Sequence, residues 1–96
     1  MDFTSLYNHH EREVIAAVQA YAHEHLPGSE NDGELLADIA CVALNRLPPR
    51  YIRHEVDYSF YLTEQEREDV EAAIKEAVSY AFTFVQSRMA LRAKPR

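Results

Sequence analysis

Cysteine occurs once in these 96 residues, tryptophan never, and glycine only twice. A lone Cys41 cannot form an internal disulfide or a CxxC pair. No HExxH occurs either, which leaves the common zinc motifs unrepresented. Two glycines and four prolines are too few for a low-complexity or collagen-like chain. No apolar run approaches the roughly 18 residues that a membrane helix needs, so no membrane association is expected. The opening residues, Met1-Asp2-Phe3-Thr4-Ser5, lack a basic segment followed by an apolar one. A secretory leader is therefore not expected, and the cytoplasm is the expected location.

Acidic residues are missing from two stretches. None occurs between Ile39 and His54, where Arg46, Arg50 and Arg53 sit. None occurs from Ala77 to Arg96, which holds Arg88, Arg92, Lys94 and Arg96. The 16 acids crowd the rest, and the net charge is −6. Such a balance argues against direct DNA binding, which needs a broad basic surface. A locally basic segment can still hold a small anion.

Hydrophobic residues make up 47% and charged residues 27%, the composition of an ordinary globular domain. One domain over residues 1–96 is expected. A core this small is marginal alone, and dimerisation is a common remedy.

Three helical patterns follow one another. The first runs from Asn8 to Leu26, with Val14, Ile15, Val18, Tyr21, Ala22 and His25 as its apolar stripe. Asn8 suits the N-cap with Glu11 at the capping-box position, and Pro27-Gly28 ends it. The second runs from Gly33 to Leu47, capped by Asn31 or Asp32 and stopped by Pro48. Its broad apolar face of Leu35, Leu36, Ile39, Ala40, Val42, Ala43 and Leu47 predicts the most buried helix. The third opens on a Thr63–Glu66 capping box and runs close to thirty residues. Its stripe is Val70, Ile74, Ala77, Val78, Ala81, Phe84, Val85 and Met89. Acids crowd its first turns and Arg88 and Arg92 its last, as the helix dipole favours. A helix so long in so small a domain suggests packing on a second chain. Between Pro48 and Leu62, Tyr51-Ile52 and Tyr58 to Leu62 are β-like in composition but too short for a sheet. The expected fold is all-α, with three main helices, a long C-terminal one, and a symmetric homodimer.

Chemistry concentrates at Asn45-Arg46-Leu47-Pro48-Pro49-Arg50-Tyr51. The prolines stiffen the chain where a helix ends and present Arg46, Arg50 and Tyr51 from a rigid corner. Arginine forks onto phosphate or a guanine edge, and tyrosine offers a stacking face. Asp38, Cys41 and Asn45 share one side of the second helix. Asp38 could accept hydrogen bonds from a guanine edge. These groups suit a purine nucleotide. From the residues alone a plain helix stop is the favoured reading, since arginines after a C-terminus are favoured by the dipole alone. His9, His10, His23 and His25 gather around the first helix with Glu11 and Glu24, but would need a second chain to converge on one metal. Cys41 has apolar neighbours and reads as a packing residue. Tyr58, Phe60 and Tyr61 read as core cover or a dimer contact. No catalytic triad, carboxylate pair or phosphate-binding glycine loop is present, so no enzyme and no cofactor are expected.

The run Asp38-Ile39-Ala40-Cys41-Val42-Ala43-Leu44-Asn45-Arg46-Leu47-Pro48-Pro49-Arg50-Tyr51 resembles the signature of the late-competence ComFB family, most specifically from Ala43 onward. The order of elements fits as well. That family takes its name from a DNA-uptake operon, and its members are small, helical and dimeric. Several are receptors for cyclic dinucleotides, mainly cyclic di-GMP and in some cases cyclic di-AMP. Some cysteine-bearing members hold zinc, which the single Cys41 does not support here. The resemblance implies a ligand site at Asn45, Arg46, Arg50 and Tyr51, with Asp38 and Arg53 as weaker additions. It implies a receptor that passes its signal to a protein partner. The rival expectation is a structural adaptor of competence or another regulated surface process.

Overall fold

Each helix begins where a side chain can accept a stray backbone N–H. The computed structural model describes residues 6–53 and 62–93, without the side chains of Glu30 and residues 90–93. Helix α1 spans His10–His25. Asn8 Oδ1 accepts the His10 N–H at 3.2 Å, and His9 between them already has helical dihedrals. Asn8 therefore supplies a capping bond from one residue ahead of His9, which stands at the helix boundary without a side-chain cap of its own. Leu26 closes α1, and Gly28 turns the chain at φ 95°, a conformation that side chains resist. A single 3₁₀ turn, Ser29–Asn31, leads to α2, Gly33–Arg46. Asp32 caps α2 by accepting the Leu35 N–H at 3.1 Å. Leu47 is extended because Pro48 follows it. Helix α3 spans Glu64–Ala93, and Thr63 Oγ1 accepts the Glu66 N–H at 3.1 Å.

The three helices enclose one core. Val14, Val18 and Ala22 come from α1, and Ile39, Ala43 and the adjoining Leu47 from α2. Ile74, Ala77, Val78, Ala81, Phe82 and Val85 come from α3. Four alanines among these let the backbones approach closely. Phe82, 1% exposed, is the largest fully buried side chain among the described residues, and its ring centre lies 4.4 Å from that of Tyr21. Among the described residues no helix is long and apolar enough to cross a membrane.

The segment Tyr51–Ile52 does form a strand, β2, although only two residues long. It pairs antiparallel with β1, Tyr7–Asn8, with Tyr7 opposite Ile52 and Asn8 opposite Tyr51. The His9 N–H donates to the Arg50 carbonyl at 2.7 Å, and the Arg50 N–H to Asn8 Oδ1 at 3.0 Å. This clasp ties the end of the signature to the start of α1. The expectation for Tyr58, Phe60 and Tyr61 lies outside the described residues, as do Lys94 and Arg96.

Two expectations about burial need correction. Helix α2 buries only Ile39 and Ala43, whereas α3 buries six of its described residues. Part of the broad apolar face of α2 borders an open cleft, so Leu36 and Ala40 are only half-buried. Ile15 and Met89 were expected in stripes, yet each is 48% exposed. Ile15 faces that cleft, and Met89 lies beyond Val85, the last core residue of α3.

Candidate functional site

Adjacent residues on a helix point about 100° apart, so a linear motif at a helix end divides between two faces. That is the fate of the signature. Asn45 and Cys41 lie on the side of α2 that faces the cleft, where the Asn45 Nδ2–H approaches Cys41 Sγ at 3.6 Å. Asp38 is exposed on α2 and does not line the cleft. Arg46 turns the other way, toward α3.

The cleft lies between α1 and α2 and holds about 930 Å³. Ile15, Val18, Leu36, Ala40 and Leu44 give it an apolar lining, and Asn8, Glu11, Gln19 and Asn45 add polar groups. Pro49 and Tyr51 close its signature end. Tyr51 is 68% exposed, so its ring is available for stacking. Size and lining fall within the ordinary range of small-molecule sites, roughly 300–1,000 Å³ and largely apolar with a few polar groups.

Arg46 is engaged within the chain. Its Nε–H donates to both Glu76 carboxylate oxygens at 3.2 and 3.1 Å, and an NH2 hydrogen reaches Glu76 Oε1 at 2.8 Å. The guanidinium carbon lies 3.9 Å from the centre of the Tyr80 ring. The hydrogen bond from Arg46 holds the Glu76 carboxyl below its ordinary range, and Glu76 raises the arginine in turn. Both groups are at the surface, so this ion pair fixes direction more than it adds stability.

Arg50 and Arg53 are exposed around β2. Arg50 also borders a smaller cavity of about 290 Å³ that includes His10, Pro48, Glu66 and Asp69. His10 is 7% exposed, and its buried Nδ1 has no hydrogen-bond partner. Burial lowers its pKa, and the neighbouring His9 lowers it further, against an opposing pull from Glu13. His9 itself bonds Glu13 at 3.0 Å. His23 and His25 are exposed toward the opposite end of α1. Among the described residues no three His, Cys, Asp or Glu side chains could hold one metal ion.

The six sequence-predicted residues thus do not meet in one pocket. Asn45 and Tyr51 border the cleft, Arg46 reaches α3, Arg50 borders the smaller cavity, and Asp38 and Arg53 are exposed to either side. Glu76 and Tyr80 meet Arg46, Asn8 meets Arg50, and none of the three was singled out as a site residue. The first two could have been found from spacing, since Glu76 and Tyr80 stand four apart on one row of α3.

The family model for the late competence development protein ComFB matches residues 7–89, and the chain belongs to that family. No curated protein matches the chain.

Proposed function

Starting from membership of that family, we propose that this protein is a non-enzymatic cytoplasmic receptor for a cyclic dinucleotide. Cyclic di-GMP is the first candidate and cyclic di-AMP the second. The protein relays the signal to a protein partner and works as a symmetric homodimer. The observation that carries this is the corner at the end of α2. The cleft between α1 and α2 is of nucleotide size and has Asn45 and Tyr51 at its end, and the same segment carries exposed arginines. Apolar walls suit a base, and arginine forks suit its phosphates. A ligand with its own twofold axis fits two copies of one corner better than one. Binding acts by favouring one arrangement of the helices over another. Calorimetry with a panel of cyclic and linear nucleotides tests it. Heat should appear with a cyclic dinucleotide at micromolar concentrations. No heat with any of them would sink the proposal.

A second reading, a structural adaptor without a small ligand, has a specific observation in its favour. Arg46 is spent on Glu76 and Tyr80, and the Arg50 backbone on Asn8 and His9. On that reading Arg46→Ala lowers the melting temperature of the protein alone, and nucleotide shifts the melting of neither form. On the receptor reading nucleotide raises the wild-type melting temperature and Arg46→Ala loses that rise.

A further inference from the structure

Helix α1 sends one ring into the signature loop. His10 is 7% exposed, and its ring donates a hydrogen bond to the Pro48 carbonyl. Its Nδ1 is buried and has no partner among the described residues. Nε2 therefore makes the Pro48 bond and carries the hydrogen, because a carbonyl only accepts. Nδ1 keeps a bare lone pair, and the neutral ring suits its seat.

The same residue is built into the clasp through its backbone. The His10 and Arg50 N–H groups share Asn8 Oδ1 as acceptor, at 3.2 and 3.0 Å. The His9 N–H holds the Arg50 carbonyl at 2.7 Å. Pro48 lies two residues before Arg50, so the ring and the backbone of His10 hold one short loop. Pro49 and Tyr51 of that loop close the end of the cleft between α1 and α2. Displacing the His10 ring thus loosens the segment that seals the cleft.

A proton can displace it. A second N–H, at Nδ1, is a buried donor without an acceptor, and it brings a charge into the seat. The surroundings offer little relief. On α1, His9 opposes the charge, and Glu13, which favours it, is already bonded to His9 at 3.0 Å. From the loop, Arg50 opposes it as well. From α3, Glu66 and Asp69 border the smaller cavity beside the ring, but both are exposed, and Asp69 accepts from Gln65 at 2.9 Å. Once the ring is in water its affinity for a proton is ordinary. The open clasp therefore binds a proton that the closed clasp rejects, and acid draws the population toward the open form.

We propose that the clasp is a proton-operated gate on the signature end of the cleft. Neutral His10 holds Pro48 and Arg50 in place, and protonation at Nδ1 releases them. The gate holds whatever the cleft binds.

The test is amide hydrogen exchange of the full chain by NMR between pH 7.5 and 5.5, corrected for the intrinsic pH dependence of exchange. The ring nitrogen shifts of His10 read its tautomer in the same samples, and hydrogen on Nε2 is expected at pH 7.5. Protection of the His10 and Arg50 amides should fall by up to about tenfold over that range, since the open ring titrates near 6.5 and the closed ring below it. At pH 7.5 these amides should already exchange faster than those of Val78 and Ala81 in the core, because the clasp opens without the whole fold. His10→Gln, which still offers an N–H to Pro48 but does not titrate in this range, should remove the fall. His9→Gln should keep it. A fall under twofold in wild type, a fall that persists in His10→Gln or disappears in His9→Gln, or a hydrogen on Nδ1 at pH 7.5 overturns the gate. Equal protection of clasp and core at both pH values also overturns it, since the proton would then act only through global unfolding. If His10→Gln does not fold, the wild-type exchange and the ring shifts decide alone.

Discussion

Asn8 does two jobs with one oxygen, and removing that oxygen should cost both. Its Oδ1 accepts the His10 N–H at 3.2 Å, which caps α1, and the Arg50 N–H at 3.0 Å, which closes the clasp. Loss of a cap costs about 1 kcal/mol, within a range of roughly 0.5–2. The second bond, exposed and replaceable by water, adds roughly 0.5–1 kcal/mol. Asn8→Ala should therefore destabilise the fold by about 1.5–2 kcal/mol. For a domain of this size each 1 kcal/mol moves the melting temperature by about 4–8 °C. The expected fall is then about 6–16 °C by circular dichroism. Asn8→Asp keeps the acceptor and places a negative charge at the positive end of α1, so it should restore most of the loss. Asn8→Leu, which keeps the bulk but not the acceptor, should resemble alanine. If Asn8→Ala melted within about 2 °C of wild type, less than a single cap is worth, the assignment of both bonds would fail. If Asp gave no recovery, the effect would lie in packing rather than in acceptance.

Two further outcomes follow from the core and its edge. Phe82→Ala should destabilise by about 3–5 kcal/mol, since it empties the largest buried site and removes the partner of Tyr21. Urea unfolding would show it, and a loss under 1 kcal/mol would mean that α1 and α3 do not meet as described. Stability should also fall on acidification because of His10. Its folded pKa lies below the ordinary 6.5, so the unfolded chain binds the extra proton first. The contribution is complete above pH 6.5 and is lost as pH falls from there through the folded value. Glu13 opposes the effect, and His9 and Arg50 reinforce it. His10→Gln should flatten the slope of urea midpoint between pH 7.5 and 5.5, and an unchanged slope would locate the sensitivity elsewhere.

Helix ends were legible because single residues decide them. Asp32 and Thr63 announce α2 and α3 by side-chain chemistry that acts within three residues. Pro48 announces the stop in the same way. Burial was less legible, because periodicity says which residues share a face and not what covers that face. The wide stripe of α2 therefore read as deep core, although part of it borders a cleft. Phe82 was missed for a related reason. Helix α3 is covered by both α1 and α2, and Phe82 sits beside the single stripe that the pattern picked out. The strand pair escaped because two residues on each side leave no period to detect. The signature read as one site because its residues are consecutive in the chain. Its division over two faces followed from helix geometry and needed the neighbours, Glu76 and Tyr80, to acquire meaning.

The clasp between Asn8 and Arg50 spans 42 residues of chain. Bringing two such distant points together costs an entropy equivalent to about 3 kcal/mol, growing slowly with loop length. Two residue pairs and one shared side-chain oxygen do not offset that alone. The loop can close only once α1 and α2 have already packed and shortened the distance. Closure is thus a late event in folding, and the same weakness makes it an early one to reopen under native conditions. The signature corner is held by a contact that depends on the helices having packed first. Tyr51 and the arginines around it stand on a latch whose equilibrium any molecule that prefers one state can tip.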